Sequence, residues 1–432
     1  MKSTTKSTKG RVFRDPVHGL IDFSGTNASI ARILDTGAMQ RLRRIKQMGL
    51  AWLVYTGAEH SRFGHALGAF HIADKISKNL VLDQELAQLI KVAALVHDIG
   101  HGPFSHAWEE IYPQVSHEHW GARICKENSQ LQEAFASVRP NLGQELFSFW
   151  DKTFKPSFAS KLVSSQLDVD RLDYLLRDGH YSGVGYATYD LEWILHALRL
   201  ETIDDNEPDL VIDYRRGMHA VEQYLFARSY MYAQVYHHKT VRAAESLFLA
   251  TMTRFNDLVK MGQAPSELEV VQKLAAGESI TTDEYLRLDD TTLVEALKNW
   301  SGANGERHTS TDPILKDLAS RFVHRELFKT IELPVHIDGN PAFLDALKNV
   351  ATAQFGDDGG YYFRIDQTKE RGYNNQPQNE LHVVGHPTHK KVTLGELLQD
   401  LPLSRLSRKT RLIYAPELKA KIEPLLASMK KS

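Results

Sequence analysis

The sequence predicts a mainly α protein: an all-helical core, a short N-terminal β-hairpin and a smaller C-terminal α+β lobe. Three observations carry this. Apolar residues recur at helical spacing almost without interruption from Thr26 to about residue 260. Ahead of them, "RVFRDPVHGLIDF" (11–23) has two short alternating runs around an Asp-Pro-x-x-Gly turn. Beyond about residue 325 the texture changes to short runs rich in β-branched and aromatic residues.

Taken in order, "MKSTTKSTKG" (1–10) reads as a polar tail, and 11–23 as the hairpin. "SIARILDTGAMQRLRRIKQMGL" gives two short helices broken near Asp35–Gly37. "SRFGHALGAFHIADKISKNL" and "QELAQLIKVAALVHDIG" are longer helices, the second stopped by Gly100. "QLDVDRLDYLLRDGHY" continues the pattern, and 217–255 reads as one very long helix. Strands are expected in "KTIELPV" (329–335), "GYYFRID" (360–366), "ELHVVG" (380–385) and "TRLIY" (410–414). Helices lie between them near 341–354 and 393–400, the latter opened by a Thr393-x-x-Glu396 capping box. The order β-α-β-β-α-β matches a ferredoxin-like unit closed by a helix at 416–428. The expected domains are therefore 1–25 (tail and hairpin), 26–325 (helical core) and 326–432 (α+β lobe).

Bulk properties narrow the function. A 432-residue chain that is 42% hydrophobic has ample material for a core, and a net charge of −2 gives no global field toward nucleic acid or anionic lipid. The single cysteine rules out an intrachain disulfide and a multi-cysteine zinc site. The N-terminus lacks the apolar region of a signal peptide, and no 18-residue apolar run occurs, so a cytoplasmic protein without membrane contact is expected.

"KVAALVHDIGHGPFSHAWEE" (91–110) places His97 and Asp98 directly behind a buried-looking apolar run. Both are costly to bury without a partner. One reading is a satisfied core histidine beside a helix-end aspartate; the other is a metal. A hydrolytic metal site needs a few N and O ligands, an open position and nearby acid–base groups. Imidazole with carboxylate suits a divalent ion such as Mn, Mg, Fe, Ni or Zn.

The segments "FRDPVHG", "QRLRRIKQMG", "HSRFGHALG", "LVHDIGHGPFSH", "LDVDRLDYLLRD" and "YHHK", co-linear over residues 11–240, resemble the HD-domain phosphohydrolases with their H…HD…D signature. The match is to the dNTP triphosphohydrolase branch that includes the SAM- and HD-domain-containing enzymes. That resemblance implies His65, His97, Asp98 and Asp170 as metal ligands. It implies His106 as general acid oriented by Glu109, with His101 and His117 against the substrate phosphates. Arg62, Arg171 and Arg228 match phosphate-binding cations, and Tyr174 a phosphate contact. Gln47 and Asp178 match contacts to the sugar 3′-hydroxyl, Met48 lies at the sugar and base, and Tyr236 matches the ring that crowds a ribose 2′-hydroxyl. The implied reaction is attack of water on the α-phosphorus of a dNTP, releasing deoxynucleoside and inorganic triphosphate.

The general chemistry agrees. A His–carboxylate pair raises the imidazole pKa and fixes its tautomer, which suits a proton donor. Asp170, Tyr174 and Asp178 fall at i, i+4 and i+8, on one helical stripe. The alternatives are a helix-to-helix turn with exposed histidines for 100–106 and a solvated helix face for Arg228.

Four positions depart from the family pattern. Arg171 stands for lysine, Tyr232 for histidine, Met48 for leucine and Arg14 for asparagine; Met48 and Tyr232 bear on sugar and base fit. Arg11, Asp35, Gln40, Arg41 and Arg43 match the family's allosteric nucleotide site, which implies a GTP or dNTP activator and a homo-oligomer, a tetramer first. The other reading is a structural hairpin with a basic outer face. If 37–44 is helical, Arg41 and Arg44 share a face and Arg43 points elsewhere.

Two rivals remain at this stage: an HD phosphohydrolase acting on another nucleotide phosphate ester, and a catalytically silent nucleotide sensor or scaffold. No "GYP" follows the HD motif as a cyclic-dinucleotide phosphodiesterase would require. A nucleic-acid role has one supporting feature, the basic run "SRLSRKTR" (404–411).

Overall fold

In the computed structural model, described residues are 10–151, 153–202, 207–305, 309–334, 337, 339–370, 380–387, 391–398 and 407–429. The tail at 1–9, the end of the helix expected at 393–400 and the first three residues of the basic run at 404–411 lie outside them.

Strands β1 (Arg11–Asp15) and β2 (Gly19–Phe23) form the expected antiparallel hairpin, with Phe13 opposite Ile21. Ile21 and Phe23 point inward, and Phe23 stacks on Phe70 at 4.1 Å. A 3-10 turn (Ile30–Asp35), α1 (Gly37–Arg41), capped by Thr36, and a further 3-10 turn follow. The core is built by α2 (Arg62–Asn79) and α3 (Gln84–Val96), then α4 (His106–Ile111), α5 (His117–Glu127), α6 (Ser129–Val138), α7 (Leu142–Trp150) and α8 (Phe158–Val163). Next come α9 (Val169–Ser182), started by the Asp168 cap, and α10 (Leu191–Ala197). A short hairpin, β3 (Leu198–Thr202) and β4 (Pro208–Asp213), interrupts the helices.

Beyond it lie α11 (Tyr214–Met231), α12 (Lys239–Lys260), α13 (Glu269–Ala275), α14 (Thr282–Tyr285), α15 (Asp290–Ser301) and α16 (Pro313–Val323). The C-terminal part adds β5 (Lys329–Glu332), α17 (Pro341–Phe355), β6 (Phe363–Glu370), β7 (His382–Val384) and β8 (Lys391–Thr393). It ends with α18 (Leu394–Leu397), opened by the predicted capping box, β9 (Ser407–Tyr414) and α19 (Lys419–Met429). The mainly helical fold with an N-terminal hairpin and small C-terminal sheets is as expected. Among the described residues no helix is long and apolar enough to cross a membrane.

Four local expectations are corrected. The very long helix is two: Tyr232–Tyr236 forms a π-helical turn, and His238 leaves the helix to cap α12, its ring nitrogen accepting from Thr240 N at 3.2 Å. Residues 198–213 pair as a hairpin within a stretch expected to be helical. The ferredoxin-like order fails because β7 leaves the C-terminal sheet and pairs in parallel with β4, Ile212 opposite Val383. That leaves a three-stranded sheet β5-β9-β6 whose Leu412 and Tyr414 share a separate small core with α17 and α19. Finally, α3 ends at Val96, so His97 to Ser105 form a turn, with His101 N donating to Asp98 O at 3.1 Å.

Candidate active site

The expected ligands converge from three elements. His65 sits on α2, His97 and Asp98 just past the end of α3, and Asp170 in the first turn of α9. His65 Nε2 lies 3.0 Å from Asp170 Oδ1, 3.2 Å from His97 Nε2 and 3.7 Å from Asp98 Oδ2. His97 Nε2 lies 3.2 Å from Asp98 Oδ1 and 3.4 Å from Asp170 Oδ1. His65 and Asp98 are buried.

This donor set fits a cation. His65 Nδ1 donates to Asp173 at 2.7 Å and His97 Nδ1 donates to the Ala94 carbonyl at 2.8 Å. Those bonds fix both tautomers and aim both Nε2 lone pairs inward, facing two carboxylates. Four electron-rich atoms at this spacing repel unless a positive charge lies among them. The pull of the surrounding carboxylates shows the demand for one: burial pulls the His65 pKa down, yet Asp170 and Asp173 push it up to about 10.

A cavity of about 660 Å³ opens on this cluster. Gln47, Met48, Arg62, His97, Asp98, His101, His106, His117, Asp170, Arg171, Tyr174, Asp178, Tyr232 and Tyr236 line it. His65, Glu109 and Arg228 stand behind its wall. A short pairing of Lys46 with Ser61, and the Gln47 N–His60 O bond at 2.9 Å, set Gln47 beside the start of α2. Arg62 is buried, ion-paired with Asp98, and donates to Ser105 Oγ at 2.9 and 3.0 Å. Arg171 is paired with Asp168. Arg228 donates to Gln166 Oε1 at 3.2 Å and lies 5.5 Å over the Tyr232 ring, so it is neither a solvated face nor on the cavity surface.

The turn that carries the second group of histidines is held in an unusual shape. Phe104 and Ser105 both have left-handed φ, 59° and 62°, a conformation that costs of order 1–3 kcal/mol for such residues. It is held from both sides: Asp290 accepts from Phe104 N at 2.9 Å and Lys46 N at 2.8 Å, and Arg62 grips Ser105. Burial pushes the Asp290 pKa up to about 6.

His106 emerges from this turn with its side chain 82% exposed. The carboxylate expected to orient it is elsewhere engaged. Glu109 accepts from His117 Nδ1 at 2.6 Å and from His117 N at 2.8 Å, while His106 Nδ1 is 3.7 Å away. His101 stacks on His117 with ring centres 4.0 Å apart.

At the other end, Tyr236 Oη donates to Asp178 Oδ2 at 2.8 Å and His60 Nε2 donates to Asp178 Oδ1 at 2.7 Å. The π-helical turn is what brings Tyr232 and Tyr236 to the cavity, with Tyr232 Oη 3.4 Å from Tyr174 Oη.

Sequence reasoning missed several residues that the fold adds. His237, Arg242 and Glu245 line the cavity from the broken helix, and Asp366 of β6 accepts from Arg242 at 2.5 Å. Asp173 and His18 stand behind His65; both lie inside segments whose composition was informative, but neither position carries a local mark of its role.

The expected regulatory residues divide. Arg11 forms a two-bond ion pair with Asp35, both bonds 2.6 Å, and Arg43 Nε donates to Gln40 Oε1 at 2.9 Å on the same exposed side of the molecule. Arg41 is not with them: it is 1% exposed and donates to Leu288 O at 2.7 Å, over the Tyr285 ring. The helical turn sends it inward, while Arg44 pairs with Asp289 from a half-exposed position, so Arg41 is removed from the nucleotide-contacting set in this arrangement.

Residues 62–178 match the HD domain and 190–270 match the HD associated region. The chain is 31% identical to the uncharacterized protein YwfO of Bacillus subtilis, over 94% of this chain and 89% of that one. It is 26% identical to human deoxynucleoside triphosphate triphosphohydrolase SAMHD1 over 74% of this chain, but spans only 55% of that protein. A solved phosphohydrolase from Bacteroides thetaiotaomicron superposes with a TM-score of 0.79 at 28% identity, covering 94% of this chain and all of that one. Family and cluster together imply a divalent metal ion. The chain belongs to the HD-domain phosphohydrolases that carry an HD-associated region.

Proposed function

We propose that this phosphohydrolase cleaves dNTPs to deoxynucleoside and inorganic triphosphate. The observation that carries the reading is a single cavity in which His97, Asp98 and Asp170, backed by His65, several cations and a Tyr174–Asp178–Tyr236 wall face one another. The similarity to SAMHD1 supports a dNTP as the substrate class.

His65, His97, Asp98 and Asp170 would hold a divalent ion, which would supply charge neutralisation at phosphoryl oxygens and a lowered water pKa. The chain's own groups do the rest. Arg62 and Arg171 lie at the cavity and add positive charge for the polyphosphate, while Arg228 supports Tyr232 from behind. Exposed His106 is free to reach the 5′-oxygen and deliver a proton as it leaves. His117, held by Glu109, keeps a proton and serves as a fixed cation beside the phosphates. Asp178 and Gln47 accept and orient the sugar 3′-hydroxyl, and the Tyr236 ring fills the space a 2′-hydroxyl needs. Most of this work is positioning and electrostatics, as phosphoryl transfer requires.

Regulation by a nucleotide belongs to the same proposal. Arg11, Asp35, Gln40 and Arg43 supply donors and an acceptor at one surface, suited to a GTP or dNTP activator between subunits of a homotetramer. The test is product analysis with each dNTP and Mn²⁺ or Mg²⁺, with and without GTP. Inorganic triphosphate plus free deoxynucleoside, absent in a His97→Ala/Asp98→Ala protein, is the expected result. Intact dNTPs, singly and in mixtures, contradict it.

A further inference from the structure

The metal ligand His65 is not held by its own helix neighbours alone. Asp173 accepts its Nδ1–H through Oδ2 at 2.7 Å, and through Oδ1 the same carboxylate accepts from His18 Nε2 at 2.6 Å. His18 belongs to the turn between β1 and β2. Arg177 completes the group, its Nε 2.8 Å from Oδ2 and its Nη2 3.0 Å from Oδ1. Its Nη1 donates to Asp15 Oδ2 at 2.8 Å, at the end of β1. Asp15 Oδ1 in turn accepts from Val17 N and His18 N, both at 2.9 Å, which fixes the turn.

Every side chain in this chain of bonds is almost wholly buried: His18 is 4% exposed and Asp173 0%. The close approach has been made room for. Gly68, one helical turn past His65, leaves the space into which Asp173 Oδ1 projects, and a Cβ there would collide with it and with Arg177. A buried carboxylate shared between two imidazoles, one from the hairpin turn and one from the candidate metal centre, is more than packing demands.

Resting on the reading of His65 as a metal ligand, we infer that His18 is a positioning residue for the metal centre, acting through the shared Asp173 carboxylate. Without the His18 donor, Asp173 keeps its Arg177 bonds but loses one of the contacts that set its plane, and the aim of the His65 ring loosens. Partners behind a ligating histidine are commonly worth about 10–100-fold in metal affinity.

The test uses the full chain freed of metal by chelation, with Mn²⁺ binding read by equilibrium dialysis. His18→Leu is expected to weaken binding by about 10–100-fold. His18→Gln, whose side-chain amide can donate from nearly the same place, is expected to restore most of it. Wild-type affinity in His18→Leu, or equal loss in both variants, overturns the inference.

A second measurement needs no variant and decides the matter if neither folds. Coupling between sites is reciprocal, so Mn²⁺ must slow amide hydrogen exchange in residues 11–23 of the wild-type protein, read by mass spectrometry. Mn²⁺ binding with unchanged exchange there overturns the positioning role alone. No Mn²⁺ binding by the wild-type protein overturns the ligand set on which it rests.

Discussion

His101 and His117 lie face to face, with ring centres 4.0 Å apart and planes 9° from parallel. Two imidazoles at that separation do not share positive charge comfortably, and their surroundings separate them. Burial and the Arg62 guanidinium hold the His101 pKa well below the ordinary histidine range. Burial also opposes protonation of His117, but the Glu109 carboxylate outweighs it and raises the His117 pKa. The surroundings therefore favour the neutral form of His101 and the cationic form of His117 in the same cavity.

This gives a signed pH prediction. The His117 pKa is raised in the fold, so the stabilisation it contributes is complete below the ordinary histidine value and is lost as pH rises through the folded one. The Glu109 pKa is depressed, so its contribution is present above the ordinary carboxylate range and is lost only as pH falls well below it. The pair is thus intact from mildly acidic to neutral pH. Glu109→Gln removes the partner that holds the proton, and the alkaline limb of the pH–rate profile must move to lower pH. The profile of kcat/KM against pH checks it.

Gly100 is expected to tolerate no side chain. A Cβ at this position would lie inside the backbone of His117 and Gly121, so Gly100→Ala must push α5 away from the HD turn. Overpacking of this kind costs about 1–3 kcal/mol, and here it also displaces His117. Urea denaturation and the rate of hydrolysis should fall together.

Tyr236 separates two functions of one side chain. Tyr236→Phe keeps the ring but frees Asp178 Oδ2 of its 2.8 Å donor, so KM for dNTPs rises while the preference for dNTP over rNTP stays. Tyr236→Ala opens the space beside the sugar, and the preference should drop by about tenfold, the effect of a contact worth roughly 1.4 kcal/mol. Paired kinetics on dGTP and GTP distinguish the two.

Arg11→Ala tests the regulatory surface without endangering the fold. The Arg11–Asp35 pair is about half exposed, and exposed pairs contribute under about 1 kcal/mol. Thermal stability should hardly change, whereas any stimulation by GTP should be lost. Retained stimulation contradicts the assignment.

The parts of this molecule that were legible in its sequence are those whose signal is local. Helical periodicity gave α2, α3 and α9, and the clustering of histidine and aspartate in "LVHDIGHGPFSH" and "LDVDRLDYLLRD" pointed to the chemistry. What escaped depends on distant partners. The parallel pairing of Ile212 with Val383 joins segments remote in the chain, and nothing near either predicts it. The break after Tyr236 escaped because the apolar spacing continues through it; only the capping by His238 shows where the helix stops. Asp170 and Asp173 are one helical turn apart and chemically alike, so spacing alone does not say which faces the cavity and which holds His65 from behind. Glu109 was paired with His106 on the family resemblance; the fold brings α5 close enough for His117 to take that carboxylate instead.

On the function proposed here, His65, His97, Asp98 and Asp170 hold one divalent ion on which hydrolysis depends. The most direct measurement titrates chelator-treated protein with Mn²⁺ while following bound metal and dNTP hydrolysis together. Activity is expected to rise in proportion to the first equivalent per chain, and His97→Ala/Asp98→Ala is expected neither to bind that equivalent nor to hydrolyse substrate. Full hydrolysis by the metal-free protein, or by the double variant, would contradict it.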